Sequence, residues 1–249
     1  MNQLKHDNIV HFAGADIDVG SGRASLSLEV CCLGAMDTVI SRYYARNLRI
    51  IEDLMWKTFW NMSLALCYLQ TGVDARISAV NGRSIHSLPN WSRIQHHDLK
   101  PGNILLKPGT GMLPRCVVAD FGCSLKSSDV ASGRAFFRVS RCAAAFAPLE
   151  YPQPCDRSDV YQLGLIIHCM ARLRQTPNSI IIRLQSRPTS SKYSASLNSL
   201  VSMCLHPNPM SRVDARELPR LVHSQMQLYG ARHMRRSSLP DWAFGKIKP

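Results

Sequence analysis

His96-His97-Asp98-Leu99-Lys100-Pro101-Gly102-Asn103 is the stretch on which the reading of this chain turns. It brings a carboxylate, an amine and a side-chain amide together within one short loop. Moving a phosphoryl group asks little covalent chemistry of a protein. It needs a carboxylate to orient the attacking hydroxyl, oxygen ligands for Mg²⁺, and positive charge near the migrating phosphate. Asp98, Asn103 and Lys100 are of those three types. Seventeen positions after Asn103 stands Asp120-Phe121-Gly122, with the apolar run Cys116-Val117-Val118-Ala119 leading into it. Asp120 adds a second carboxylate, and Gly122 permits a sharp backbone turn.

Three more strings follow in order: Ala147-Pro148-Leu149-Glu150, then Ser158-Asp159-Val160-Tyr161-Gln162-Leu163-Gly164, then Asn208-Pro209-Met210-Ser211-Arg212. Upstream lie Leu4-Lys5-His6-Asp7-Asn8-Ile9-Val10 and Leu28-Glu29-Val30-Cys31. In this order and spacing, the strings closely resemble the catalytic domain of eukaryotic-type serine/threonine protein kinases, over about residues 1–225. Lysine followed by proline in the first string is the serine/threonine form. The wording upstream is closest to MAP-kinase-kinase-kinase-like sequences.

The resemblance implies an α+β, protein kinase-like fold, with a mostly helical C-lobe and a remnant of the β-rich N-lobe. Residues 1–33 would be partial N-lobe and hinge. Residues 34–225 would be C-lobe, with an insertion at about 71–93 and an activation segment at 120–150, and residues 226–249 a basic tail. It implies transfer of the ATP γ-phosphate to protein Ser/Thr hydroxyls, with ATP and Mg²⁺ as cofactors. Asp98 would orient the substrate hydroxyl and Lys100 would neutralise the γ-phosphate. Asn103 and Asp120 would hold the metal. Leu28 would border the adenine, and backbone groups of Glu29 and Cys31 would bond its edge. His96 and Gly122 would shape the two motifs, Asp159 would hold the catalytic-loop backbone, and Arg212 would pair with Glu150.

The chain also departs from the family pattern. These residues contain no glycine-rich phosphate loop ahead of Leu28, no strand lysine of the Val-Ala-Ile-Lys type and no partner glutamate. Lys5 falls after the position of the regulatory helix and is no substitute. The expectation is a kinase domain truncated at its N-terminus and inactive as given. The alternative is a pseudokinase or scaffold that binds partners through its C-lobe. His97 stands where most relatives carry an arginine that grips an activation-loop phosphate. Histidine is mostly neutral near pH 7, so phosphorylation at Ser127, Ser128, Ser132 or Ser140 is expected to matter little. Arg141-Cys142-Ala143 occupies the usual Gly-Thr region, which removes the threonine that contacts the catalytic aspartate and puts substrate positioning in question.

Composition is that of a folded protein: 45% hydrophobic and 19% charged residues exclude a disordered chain. The net charge of +13 is spread along the sequence rather than concentrated, so no specific nucleic-acid partner is expected. No apolar run is long enough to span a bilayer, and the N-terminus has no signal-peptide pattern. A cytoplasmic protein follows, with the nucleus as the other setting. The nine cysteines are odd in number and lack zinc-knuckle spacing, so reduced thiols are expected. A redox switch at Cys123, beside the candidate site, is the functional alternative. The tail Arg235-Arg236-Ser237-Ser238-Leu239-Pro240 resembles a basophilic kinase site, and Ser238 could be offered to a phosphoserine adaptor. A solvated basic tail is the plainer reading.

Periodicity supplies the elements. Ile51, Met55, Phe59, Met62, Leu66 and Leu69 recur at helical steps, which predicts one amphipathic helix over residues 51–70. Residues 26–32 read as a β-run after a turn-rich stretch at 16–23, and residues 104–119 as a hairpin. Residues 71–93 read as an irregular surface loop and 123–145 as a mobile one. A buried helix is expected over 158–170, a polar linker over 188–196 and a short helix over 197–205. A last helix is expected to start at Asp214, capped by Glu217 and kinked or ended by Pro219.

Overall fold

Helix α2 (Glu52–Thr71) is the axis around which the rest assembles. Glu52 and Asp53 in its first turn suit the positive end of the helix dipole, and Gly72 ends it in the left-handed conformation, with φ 77°. A side chain at position 72 would meet the Trp91 ring at 2.6 Å, so glycine is needed there twice over. Met55, Phe59, Met62, Leu66 and Leu69 of the predicted stripe are buried, with Ile51 partly buried just ahead of the helix, but so are Leu54, Thr58, Ala65 and Cys67 on its other sides. The helix is surrounded rather than laid on a surface.

The computed structural model describes residues 4–134, 142–183, 187–232 and 238–245. Around α2 pack α5 (Ser158–Arg172), α8 (Leu218–Arg232) and strand β5 (Arg115–Val118). In α5, every residue from Ser158 to Ala171 is buried. Its Gly164 lets α7 (Ala195–Cys204) approach: an added Cβ would lie 2.9 Å from Leu205 and 3.0 Å from Cys204. Helix α1 (Met36–Ala45) follows the segment after β2 (Arg23–Leu28).

Strand β4 (Ile104–Lys107) pairs antiparallel with β5, Ile104 opposite Val118 and Lys107 opposite Arg115, as the predicted hairpin. Strand β1 (Phe12–Asp18) pairs with β2, and β3 (Ile94–Gln95) with β6 (Leu125–Lys126). Residues 8–10 dock on β5: the Val10 N–H donates to Val118 O (2.9 Å) and the Val118 N–H to Asn8 O (2.9 Å). The architecture is therefore α+β, a helical lobe with a reduced β lobe beside it.

Several expectations shift. β2 stops at Leu28; the Glu29 N–H still donates to His11 O (2.9 Å), and the chain then passes to β4, where the Leu33 N–H donates to Leu106 O (3.1 Å). β1 reaches Asp18, so the turn shrinks to residues 19–22. Residues 71–93 are not a plain surface loop: they form α3 (Arg76–Val80), bury Ala75, Ala79 and Ile85, and send the Trp91 Nε1–H to Leu69 O (3.0 Å). Part of 123–145 is ordered as β6 and α4 (Ser127–Ala131), while Ser140 and Arg141 lie outside the described residues. The 188–196 linker buries Thr189 and yields to α7 at Ala195. The last helix begins at Leu218, with the Asp214 carboxylate accepting the Arg216 N–H instead of building the predicted box. Pro219 thus falls in the first turn, where no helical hydrogen bond is lost.

The C-terminal stretch is more than a solvated tail. Helix α8 runs on to Arg232, and residues 239–245 return to α1. Ala243 is fully buried, the Trp242 ring packs tilted against Tyr43 (4.9 Å) and under the Arg46 guanidinium (4.4 Å), and the Gly245 N–H donates to Leu33 O (3.1 Å). Arg235, Arg236 and Ser237 lie outside the described residues, and Ser238 is exposed.

Candidate active site

The loop from His96 to Asn103 runs between β3 and β4, and α5 holds it from beneath. Asp159, in the first turn of α5, accepts the His96 N–H with Oδ2 (2.7 Å) and the His97 N–H with Oδ1 (2.9 Å). Gln162, one turn on along the same face, accepts the Leu99 N–H (3.1 Å) and donates to His97 O (2.9 Å) and Phe146 O (3.2 Å). His97 sits at φ 66°, a backbone state that a non-glycine residue keeps only when its surroundings impose it.

Asp98 is 4% exposed, and both its oxygens are engaged. Oδ2 accepts from Lys100 Nζ (2.6 Å) and Asn103 Nδ2 (3.2 Å), and Oδ1 accepts the Ala143 N–H (2.7 Å). The last bond comes from a backbone N–H, in the region where the resemblance leads one to expect a threonine. Asn103 Nδ2 also donates to Asp98 O (2.8 Å), which spends the amide nitrogen and leaves the amide oxygen as its ligand atom.

The turn at Asp120 is tied to the same loop, since the Ala119 N–H donates to Asn103 O (2.9 Å). Asp120 has φ 61°, is exposed, and accepts the Gly122 N–H at Oδ1 (3.2 Å). A side chain at Gly122 would press on that oxygen at 3.1 Å. His96 joins the two motifs: its Nδ1 accepts the Asp98 N–H (3.3 Å), so its Nε2 carries the proton and faces Ala119 O (3.0 Å), while Phe121 meets its ring edge-on at 4.8 Å. Burial holds the His96 imidazole below its ordinary pKa, despite nearby carboxylates. Burial does the same at His97, whose Nδ1 lies 3.3 Å from the Tyr151 hydroxyl.

At the other wall, Leu28 is exposed, and Glu29 is fixed by Lys107 Nζ (2.5 Å) and the His11 N–H (2.9 Å). The Glu29 N–H is spent on His11 O (2.9 Å), and Cys31 O on the Gly34 N–H (3.2 Å). Cys31 packs with Val10, Val117 and Ala119, which sets this segment against the strand that leads to Asp120. Further off, Arg212 and Glu150 form a two-pronged ion pair (2.6 and 2.8 Å).

A divalent cation suits these donors. Asn103 Oδ1 and the Asp120 carboxylate are hard oxygens on segments joined by a hydrogen bond. Mg²⁺ typically takes one or two protein ligands and keeps water and phosphate for the rest. Two participants were not legible as site residues: Gln162, quoted only as part of the helix string, and the Ala143 backbone. Gln162 sits three residues after Asp159, the spacing that puts both on one helix face, and that spacing is the signal that could have found it. A backbone N–H leaves no signal in residue type.

Comparison with known proteins follows the same line. No family model matches the chain. The probable serine/threonine-protein kinase nek2 of Dictyostelium discoideum is 25% identical over 88% of this chain and 49% of its own length. The G2-specific protein kinase nimA of Emericella nidulans is 27% identical over 88% of this chain and 33% of its own. The proto-oncogene serine/threonine-protein kinase mos of Rattus norvegicus is 29% identical over 71% of this chain and 48% of its own. The chain thus spans half or less of the length of these relatives.

Proposed function

This chain is a protein kinase domain of the eukaryotic serine/threonine type, and on that premise we propose that its loop at residues 96–103 serves phosphoryl transfer from ATP to protein Ser/Thr hydroxyls. The observation that carries this reading is Asp98, buried yet held from both sides, with Lys100 and Asn103 on one oxygen and the Ala143 N–H on the other. Held so, the carboxylate can receive a substrate hydroxyl in one orientation, which is most of what this reaction asks of a protein. Lys100, which shields Asp98 at 2.6 Å, is placed to turn its charge toward a γ-phosphate. Asn103 Oδ1 and Asp120 would hold Mg²⁺, which when bound neutralises phosphate charge. With the Glu29 N–H and Cys31 O spent, the Glu29 C=O and the Cys31 N–H remain to meet an adenine edge, beside Leu28.

His97 is buried and kept neutral by its surroundings, so a phosphate on the activation segment finds no cation at this position. Ser238, exposed ahead of the docked Leu239, is the residue we offer to a phosphoserine adaptor. Among the described residues no helix is long and apolar enough to cross a membrane, and we place the protein in the cytosol or nucleus.

These residues hold no glycine-rich loop and no strand lysine, so the chain by itself is expected to be inactive. In an assay with radiolabelled ATP and a basic Ser/Thr peptide, its incorporation should equal that of Asp98→Asn. Incorporation that vanishes in Asp98→Asn would sink the inactivity and keep the site. A scaffold role is the second reading. The exposed apolar side chains that favour it lie on and beside β1–β2, where Ile17 is 67%, Leu26 61% and Val30 69% exposed, on the β lobe and not on the C-lobe expected from the sequence.

A further inference from the structure

Residues 242–245 are read by one row of side chains on α1. Thr38, Arg42 and Arg46 recur at steps of four along α1 and its cap, so they share one face. The C-terminal strap lies along that row in the opposite order. The Arg46 guanidinium covers the Trp242 ring (4.4 Å), which tilts against Tyr43 (4.9 Å). Arg42 Nη1 donates to Trp242 O (3.1 Å) and to Phe244 O. The Thr38 methyl would meet a Cβ added at Gly245 at 3.3 Å. Between them Ala243 is fully buried, which leaves room for a small residue only. The far end of the strap reaches the segment that follows Cys31. The Gly245 N–H donates to Leu33 O (3.1 Å), and a Cβ on Gly34 would meet Gly245 O at 3.1 Å. On its other side the same segment bonds β4, with the Leu33 N–H on Leu106 O (3.1 Å) and the Leu106 N–H on Gly34 O (2.8 Å). Leu33 and Gly34 are thus held between β4 and the strap.

We propose that this face of α1 is a peptide-docking surface for short segments of the Trp-Ala-Phe-Gly kind, that the chain's own residues 242–245 are its resident ligand, and that their docking holds the Leu33–Gly34 segment in place. Recognition rests on one indole, one small residue and two backbone carbonyls rather than on a wide apolar area. A segment held so can leave while the helical core stays folded. Once it leaves, the row of Thr38, Arg42 and Arg46 is open to an equivalent segment supplied in trans. Leu33 lies two residues past Cys31. Undocking therefore slackens the backbone groups that meet the adenine, a consequence that rests on the phosphoryl-transfer reading proposed above. The docking itself does not depend on that reading.

The test is amide hydrogen exchange read by mass on the full chain, without nucleotide, in the parent, Trp242→Ala and Arg42→Ala. In both variants the amides of residues 241–245 and 31–35 should exchange faster by about tenfold or more, while those of α5 keep the parent rate. A synthetic peptide of residues 238–245, added in excess to the Trp242→Ala chain, should restore slow exchange at 31–35. The same peptide with alanine for its tryptophan should not. The proposal is overturned if residues 31–35 keep the parent rate in both variants, if α5 loosens along with the strap, or if the peptide restores nothing. Protection in the parent that rises with protein concentration would seat the segment on a second copy and overturn it too. No nucleotide enters the measurement, so its failure is distinct from a failure of the phosphoryl-transfer reading.

Discussion

Arg212→Ala lowers the unfolding free energy by about 4 kcal/mol, the range measured when one member of a buried ion pair is removed. Arg212 is 2% exposed and does several things at once. It clasps Glu150 through both guanidinium arms (2.6 and 2.8 Å), donates from Nε to His206 O (2.7 Å), and lies 4.5 Å from the Tyr161 ring centroid. Alanine leaves the Glu150 carboxylate with only the Ser158 hydroxyl (2.7 Å) as a strong donor, and leaves a cavity against Tyr161. Replacing both partners, as in Glu150→Gln with Arg212→Met, should recover more than half of the loss, because the stranded charge goes too. Urea denaturation of both variants checks this. A single variant within about 1 kcal/mol of the parent would show the pair to be ornamental. The pH dependence has a definite sign. Burial opposes the Glu150 charge, but the hydrogen bonds from Arg212 and Ser158 outweigh it and hold the carboxyl below its ordinary value. Stability from the pair is then present above the ordinary glutamate range and lost as pH falls through the depressed value, and Arg212→Ala flattens that acid limb.

Asp159→Ala costs about 3 kcal/mol, from two buried N–H groups left without their charged acceptor. Those groups belong to His96 and His97, at 2.7 and 2.9 Å, and they hold His97 at φ 66°. Asp159→Asn keeps one acceptor and should lose about half as much. In a thermal melt the alanine variant should fall by about 9 °C. An alanine variant that melts with the parent, or an asparagine variant as unstable as alanine, would mean that the loop is held by something else, with Gln162 the first candidate.

What the residues announced and what they hid divide along a physical line. Asp98, Lys100, Asn103, Asp120, Asp159, Glu150 and Arg212 carry charge or an amide at fixed spacings, and side-chain chemistry of that kind is visible in a string of letters. The α2 stripe was visible for a similar reason, as helical period 3.6 sorts apolar residues. The Ala143 N–H on Asp98 was hidden because every residue but proline owns one. The docking of residues 239–245 was hidden because Trp242 and Ala243 show no period, and only the folded α1 surface makes a seat for them. Pro219 misled because a proline reads as a kink wherever the helix start is set too early. The helix start itself depends on tertiary packing of Leu218 and Val222, both fully buried.

In the reading we propose, Asn103 and Asp120 form the metal-assisted nucleotide end of a site whose hydroxyl-orienting carboxylate is Asp98. Its most direct measurement is binding of a fluorescent ATP analogue to the 249-residue chain with and without magnesium. Binding should be weak, with a Kd on the order of 1 mM, should require magnesium, and should disappear in Asp120→Ala while the variant's melting point is kept. Binding of equal strength without magnesium, or binding that survives Asp120→Ala unchanged, would contradict it.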